Sequence, residues 1–348
     1  MIDLDNLSLT MTLVIFFSSA VAIAIIGSWM TYVADRLADA TGLGEAVFGA
    51  ALLGASTSLP GTIASVTVAF QGYADLAVGN AMGGIAVQTV FLVVADMAFR
   101  GVNLEHAAAS VPNMINAALL CALLALALIA ATGPEISLFQ IHPASVLLLA
   151  FYAFGLHLAS KTRDKPAWEP VQTSDTIVDD IVDDDVRPSM ARLWFYFAIC
   201  VSVIGVAGWL VGLSGIALVR HTGLSETLVG SLFTAVATSL PELVTTVAAV
   251  RQGALTLAVG GIIGGNTFDV LFLAFSDMAY RDGSIYHAIG PQPLFIISLT
   301  VLLTAILLLG LIRRERRGVG NIGFESVAVL VLYFVGLAIL VTWPVAAG

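Results

Sequence analysis

Charge is scarce in this chain. Only 11% of its 348 residues are Asp, Glu, Lys or Arg, against about 25% in a soluble globular domain. Hydrophobic types make up 59%, and mean hydropathy is +0.98. The soluble enzyme classes drop out, and a polytopic membrane protein is left. Cysteine is nearly absent: Cys121 and Cys200 both fall inside apolar runs, so neither a disulfide framework nor a thiolate metal site is indicated. The five histidines, His106, His142, His157, His221 and His287, are scattered without ligand spacing. That argues against a transition-metal site and against a Ser/His/Asp hydrolase. The first six residues hold two Asp and no Lys or Arg, so the first apolar run is expected to be a retained helix and not a secretory signal. Much of the net charge of −10 lies in one loop and gives no argument for a nucleic-acid partner.

What is present is apolar sequence of spanning length. Such runs fall at about 9–34, 44–70, 74–99, 111–132, 143–160, 193–218, 225–250, 255–280, 292–312 and 323–343. The expected fold is an all-α membrane protein of ten transmembrane helices. The expected division is a first half over 1–160, an acidic linker over 161–192 and a second half over 193–348. With the N-terminus outside, 12 of the 14 basic residues fall in inner loops and only Arg220 and Arg281 in outer ones. The positive-inside rule therefore places both termini outside a cell (inner) membrane. The linker carries Pro166, Pro170 and Pro188 and the acids Asp175, Asp179, Asp180, Asp183, Asp184 and Asp185. It has no Gly-punctuated calcium loop and reads as a solvated connection.

One stretch occurs twice. Thr57-Ser58-Leu59-Pro60-Gly61 returns as Thr238-Ser239-Leu240-Pro241-Glu242, and Gly83 and Arg100 return as Gly264 and Arg281, at a constant gapless offset of 181. Roughly two positions in five are identical between 41–100 and 222–281. Five helices per half force the copies into opposite orientations, as two inverted repeats. Matching Gly/Pro-interrupted helices point to the binding site of a secondary transporter.

Carboxylates inside a membrane are functional candidates by default. Glu45 and Glu226 occupy helix starts, which favour acids. Asp96 and Asp277 each precede an arginine by four residues, Arg100 and Arg281, and an i,i+4 ion pair is expected. Glu242 and Asp269 are different: each lies near the middle of its run with no base within a turn, and no Lys or Arg lies deep in any run. Each must be protonated or hold a metal cation. Pro60 and Pro241 free the carbonyls one turn earlier, near Ser56, Thr57, Ala237 and Thr238. Thr57, Ser58, Thr238 and Ser239 add hydroxyls. Gln88, the repeat partner of Asp269, and Asn266, a turn before it, add amide oxygens. Hard cations take such an oxygen set.

The stretch from Gly223 through Ala237-Thr238-Ser239-Leu240-Pro241-Glu242, followed by Gly264-Gly265-Asn266-Thr267-Phe268-Asp269, resembles the second α-repeat of the calcium/cation antiporter superfamily, the sodium/calcium exchangers and their relatives. The first copy resembles the first α-repeat. The resemblance implies an ion site on the four repeat-bearing helices, with helices 1 and 6 sliding past it. This chain departs at Gly61, where the family has an acid, and at Gly84, Ile85, Gln88 and Gly265. Two carboxylates remain, which balance one divalent cation, two monovalent cations or two protons.

The expectation is an antiporter, not an enzyme, that exchanges Ca2+ for Na+ or H+ by alternating access. Its metal ligands would be Glu242, Asp269, Thr57, Ser58, Gln88, Thr238, Ser239 and Asn266. No organic cofactor is called for, and the partners are the lipid bilayer and the transported cations. A monomer suffices. A monovalent cation/proton antiporter, an antiporter of another divalent ion and a non-transporting homologue with a decayed site stay open.

Overall fold

The computed structural model describes residues 7–41, 54–98, 103–107, 110–164, 189–315 and 323–343. Over these the chain is helical, with one isolated β-bridge between Leu138 and Ile141. In chain order the helices are α1 (Leu9–Thr41), α2 (Leu59–Phe70), α3 (Ala74–Ala98), α4 (Leu104–Ala107), α5 (Val111–Thr132), α6 (Pro143–Asp164), α7 (Met190–Thr222), α8 (Glu226–Thr238), α9 (Leu240–Arg251), α10 (Leu255–Asp269), α11 (Leu271–Ala279), α12 (Ile285–Ala288), α13 (Pro291–Arg313) and α14 (Phe324–Thr342). Among the described residues, eight spans are long and apolar enough to cross a membrane, and α8 with α9 makes a ninth that bends by 48°. The run expected at about 44–70 is described only in part. Residues 54–57 are helical and lead into α2, while 42–53, and Glu45 with them, lie outside the described residues. The acidic run of the linker lies outside them too.

The breaks have local causes. Pro241 has no N–H for the Ala237 carbonyl, and the ladder resumes with Leu243 N–H on the Ser239 carbonyl at 3.3 Å. Before the bend, Val229–Thr234 winds as a π-helix, an irregularity common at functional sites. The sequence pattern indicates a Pro-interrupted helix over 225–250 and gives no sign of the π-turn. Ser225 caps the start of α8 by accepting the Leu228 N–H at 3.2 Å. Glu226 sits in the first turn as expected, yet its carboxylate accepts from Leu76 N–H, at the start of α3, at 3.3 Å.

α3 runs through the centre and is almost wholly buried. It reaches α8 along a seam of small residues. A Cβ on Gly230 would lie 2.6 Å from the Leu76 carbonyl oxygen, and one on Gly79 2.9 Å from that of Thr227. Only hydrogen fits at such a backbone approach. The long helices α1 and α7 pack side by side and touch the two bends crosswise. Gly27 of α1 lies under the Pro241 ring, and Gly208 of α7 lies against the Pro60 backbone. Gly27 and Gly208 are themselves 181 apart.

The same offset governs a polar junction. Asp96 accepts Leu104 N–H at 2.8 Å and the Ser326 hydroxyl at 3.1 Å, with the Gly323 N–H as a further donor. Asp277 accepts Ile285 N–H at 2.9 Å, the Ser145 hydroxyl at 2.7 Å and His142 N–H at 2.7 Å. Each donor in one set is the repeat counterpart of a donor in the other. Asp277 therefore caps α12 and ties α11 to α6. It does not pair with Arg281, whose guanidinium lies over the Phe70 ring at 5.6 Å. Capping wins because buried backbone N–H groups at a helix start need an acceptor, while an exposed i,i+4 pair gains little. Arg100 lies outside the described residues.

Gly230→Ala should lower stability by about 1–3 kcal/mol, because the methyl meets backbone that cannot retreat. Gly205→Ala meets only the end of the Ile63 side chain, at 3.5 Å. It should gain about 0.5–1 kcal/mol from helix propensity. Thermal unfolding in detergent separates the two, and equal shifts would refute the backbone seam.

Candidate ion-binding site

The bent span α8–α9 and the central helix α3 converge with α2, α10 and α11 on a narrow crevice. Ser58, Gly61, Asn80, Gly84, Gln88, Thr238, Ser239, Glu242, Asp269 and Phe272 line it. Glu242 and Asp269 are 4% and 1% exposed. Both carboxylates come from the second half of the chain, as expected, and most of the neutral oxygens around them from the first.

Asp269 is held on both oxygens. The Ser58 hydroxyl donates to Oδ1 at 2.5 Å and the Gln88 amide to Oδ2 at 2.7 Å. The same Gln88 nitrogen reaches Ser239 Oγ at 3.2 Å. The repeat counterparts Gln88 and Asp269 thus meet face to face across the pseudo-symmetric core. Glu242 is held less tightly. The Thr57 hydroxyl is its neighbour, and Oε2 has no donor. The amide oxygens Gln88 Oε1 and Asn80 Oδ1 also lack donors. Buried acceptors are normally satisfied, and here a carboxylate oxygen and two amide oxygens go without a donor. That is the chemistry of a hard-cation site. No cluster of three or more His, Cys, Asp or Glu suited to a metal occurs among the described residues, so a soft or transition metal has no ligand set here.

Six of the eight expected ligands, Ser58, Gln88, Thr238, Ser239, Glu242 and Asp269, line the crevice, and Thr57 joins through Glu242. The Thr238 hydroxyl donates back to the Thr234 carbonyl at 2.9 Å, which leaves its lone pairs to the crevice. Asn266 does not line it. Its amide donates to Thr89 Oγ1 at 3.3 Å, because one turn before Asp269 the helix faces α3 at another angle. Asn80, Gly84 and Phe272 join the lining beyond the expected set. Asn80 is anchored by its nitrogen, on Ser65 Oγ at 2.8 Å and the Gly61 carbonyl at 3.2 Å, which turns its oxygen loose. The Gly79-Asn80 pair was the available signal for it.

Phe272 explains the missing acid. A Cβ on Gly61 would lie 2.6 Å from Phe272 Cε2 and 3.1 Å from Cζ. The aromatic ring occupies the place a side chain at 61 would take, opposite Thr238.

Comparison with known proteins finds relatives over most of the chain. The model of the sodium/calcium exchanger protein family matches residues 11–160 and 192–342. The putative antiporter CaxA of Alkalimonas amylolytica is 24% identical over 311 residues, 88% of this chain and 90% of its own. The inner membrane protein YrbG of Escherichia coli K12 is 27% identical over 266 residues, 73% and 78% of the two chains. Among solved structures, the H+/Ca2+ exchanger CAX superposes with a TM-score of 0.68 at 15% identity, covering 95% of this chain and 85% of that one.

Gly61→Glu alone should destabilise the fold by overlapping the ring. With Phe272→Ala beside it, the acid should be accommodated and Ca2+ bound at least about tenfold tighter, worth ~1.4 kcal/mol. The measurement is the Ca2+-dependent rise in unfolding temperature. A double variant with only the wild-type rise would mean that position 61 does not face the site.

Proposed function

Since the chain belongs to the sodium/calcium exchanger family, we propose that it is a secondary antiporter that exchanges Ca2+ for Na+ or H+ through the crevice of Glu242 and Asp269. The observation that carries this is the pair of buried carboxylates beside the donor-less amide oxygens of Gln88 and Asn80, with no basic residue lining the crevice. A doubly charged empty site is too costly to carry through the dry middle of a membrane. The protein can therefore change its open side only when the charge is neutralised. Incoming and outgoing cations compete for the same two carboxylates, and that competition couples their fluxes. Thr57, Ser58, Gln88, Thr238 and Ser239 complete the coordination, with Asn80 added and Asn266 in a supporting place behind Thr89.

Two carboxylates set the stoichiometry. One Ca2+ is balanced by two Na+ or two H+, so exchange is electroneutral. The same charge count favours a monovalent cation/proton exchanger as the second reading. The repeated junctions, the crosswise Gly–Pro contacts and the 181 offset support ten spans in two inverted five-helix repeats. These span 1–160 and 193–348, joined by the linker 161–192. The excess of basic residues in alternate loops supports outside termini in a cell membrane. The crevice is built within one chain, so a monomer suffices, and no organic cofactor is required.

In proteoliposomes, Glu242→Gln should abolish Ca2+ flux while the protein stays folded, since a neutral amide costs less to bury than an unpaired carboxylate. Wild-type Ca2+ affinity should rise with pH as protons cease to compete, and flux should not respond to an imposed membrane potential. Full flux in Glu242→Gln would sink the site, and a voltage-driven flux would sink the two-acid stoichiometry. Separately, a cysteine at Ser174 should resist an impermeant thiol reagent on intact cells. Ready labelling would invert the orientation.

A further inference from the structure

The junction around Asp96 carries more acid than its counterpart. Both junctions contain the same structural parts: an aspartate, a short helix capped by it, a serine from the other half and a third backbone donor. Around Asp277 the remaining positions are Ser284, Tyr286 and Ala144. Around Asp96 the same positions, 181 residues away, are Asn103, Glu105 and Glu325. Two buried carboxyls have been added where joining the halves needs none. Asp96, Glu105 and Glu325 are each 0–1% exposed. Room has been made for them. Gly310 and Gly323 both abut the Glu325 side chain, and their counterparts are Ile129 and His142.

Asp96 is well supplied with donors, and the added acids are not. The Asn103 amide donates to Glu325 Oε1 at 2.5 Å, which leaves its own Oδ1, 1% exposed, without a partner. Glu105 Oε2 and Glu325 Oε2 are also without partners, although the two carboxyls are close neighbours. Two carboxylates cannot share a hydrogen bond without a proton between them. The charged groups around the cluster come from every neighbouring element. From α3 there is Asp96, from α4 Glu105 and His106, and from α14 Glu325. From the end of α13 there are Arg313, Arg314 and Glu315. Arg313 pairs loosely with Glu315 at 3.9 Å. Arg314 and His106 bond to each other's backbones, Nη2 to the His106 carbonyl at 3.3 Å and Nδ1 with the Arg314 carbonyl at 2.8 Å. No ion pair reaches the three acids among the described residues.

We propose that Asp96, Glu105 and Glu325 form a second proton-binding site, separate from the ion crevice, whose proton holds α3 and α4 to the start of α14. Asp96 lies eight residues beyond Gln88 on α3, about 12 Å along the helix. With the proton in place, Glu105 and Glu325 are joined and the α3–α14 contact is closed. Without it, two or three like charges in a buried place repel, and the contact loosens at the end of the helix that holds Gln88 against Asp269. Burial first, then the carboxylates of Asp96 and Glu325, push Glu105 well above the usual carboxylate range. The proton therefore persists at pH values where an exposed glutamate has lost it.

The site is testable without transport, so its failure and that of the antiport reading are separable. In pH-difference infrared spectra of the whole protein, a protonated carboxyl C=O band should persist above the ordinary glutamate range and be lost as pH rises further. It should survive Glu242→Gln and lose at least half its amplitude in Glu105→Gln and in Glu325→Gln. A band unchanged in both variants overturns the site. So does a band that Ca2+ removes in the Glu242→Gln protein, which would mark the cluster as a metal site. If the glutamine variants do not fold, thermal unfolding of the Glu242→Gln protein decides. A raised folded-state value means stability present at low pH and lost as pH rises above the ordinary glutamate range. A stability flat with pH in that background overturns the proposal. Where flux is measured, changing pH on the loop side alone at saturating cation should alter wild-type flux severalfold and leave Glu105→Gln flat. Equal responses would confine the proton to a static role and overturn the coupling to α3.

Discussion

Two carboxylates buried without a base are the constraint that the rest of this structure answers. Glu242 and Asp269 cannot stay charged in a dry interior unless something positive is with them. Nothing in the lining of the crevice supplies that charge. The surrounding features serve the same end. Prolines break the helices and release carbonyls. Hydroxyls turn lone pairs inward, and glycines let α3 approach until Gln88 touches Asp269. The Asp269 carboxylate is fixed by two donors, while Glu242 keeps an oxygen without one. On the proposed reading, one carboxylate is thus a fixed post and the other follows the ion. Exchange at a single site needs that combination.

The duplication shows which features are structural. Where both copies keep a feature, it joins the halves: Asp96 to Ser326 and Asp277 to Ser145, Gly27 on Pro241 and Gly208 on Pro60. Every such contact crosses from one half to the other, so neither half completes its packing alone. Where the copies differ, chemistry has been added or removed. Gly61 stands against Glu242, Gln88 against Asp269, Tyr286 against Glu105 and Ala144 against Glu325. Phe272 fills what Gly61 leaves open, so the loss of an acid is accommodated by packing and leaves no void.

Much of this was legible in the residues. Apolar runs of spanning length gave the helices, and the 181 offset located the bends. The absence of deep Lys or Arg singled out Glu242 and Asp269 before any geometry. Three things were not legible. The π-turn at Val229–Thr234 comes from fitting Gly230 against α3, a tertiary contact that leaves no local signature. The true partners of Asp277 lie 132 to 135 residues away or eight on, beyond the window in which an i,i+4 arginine looked sufficient. Asn266 carries the right residue type in the right motif. Its side-chain direction depends on the helix rotation at one turn from Asp269, and spacing alone does not fix that.

The chemistry of the contacts also separates what is fastened from what can move. α3 is tied by directed bonds at both ends: Leu76 N–H to Glu226, Asp75 to Gly290 N–H at 2.8 Å, and Asp96 to Ser326. Three hydroxyls along α1 bond within their own helix, Ser18 on Ile15, Ser28 on Ala24 and Thr31 on Gly27. Where α1 meets the bend at Pro241 it presents glycine to a proline ring, and where α7 meets the other bend it presents glycine to backbone. Apolar contact has no preferred direction, so translation of the α1–α7 pair across the two bends breaks no hydrogen bond at these points. Such a displacement of α3 would break several. On the proposed reading, the ion site is built on the fastened element, and the surface free to slide is the one that bears on the two proline breaks.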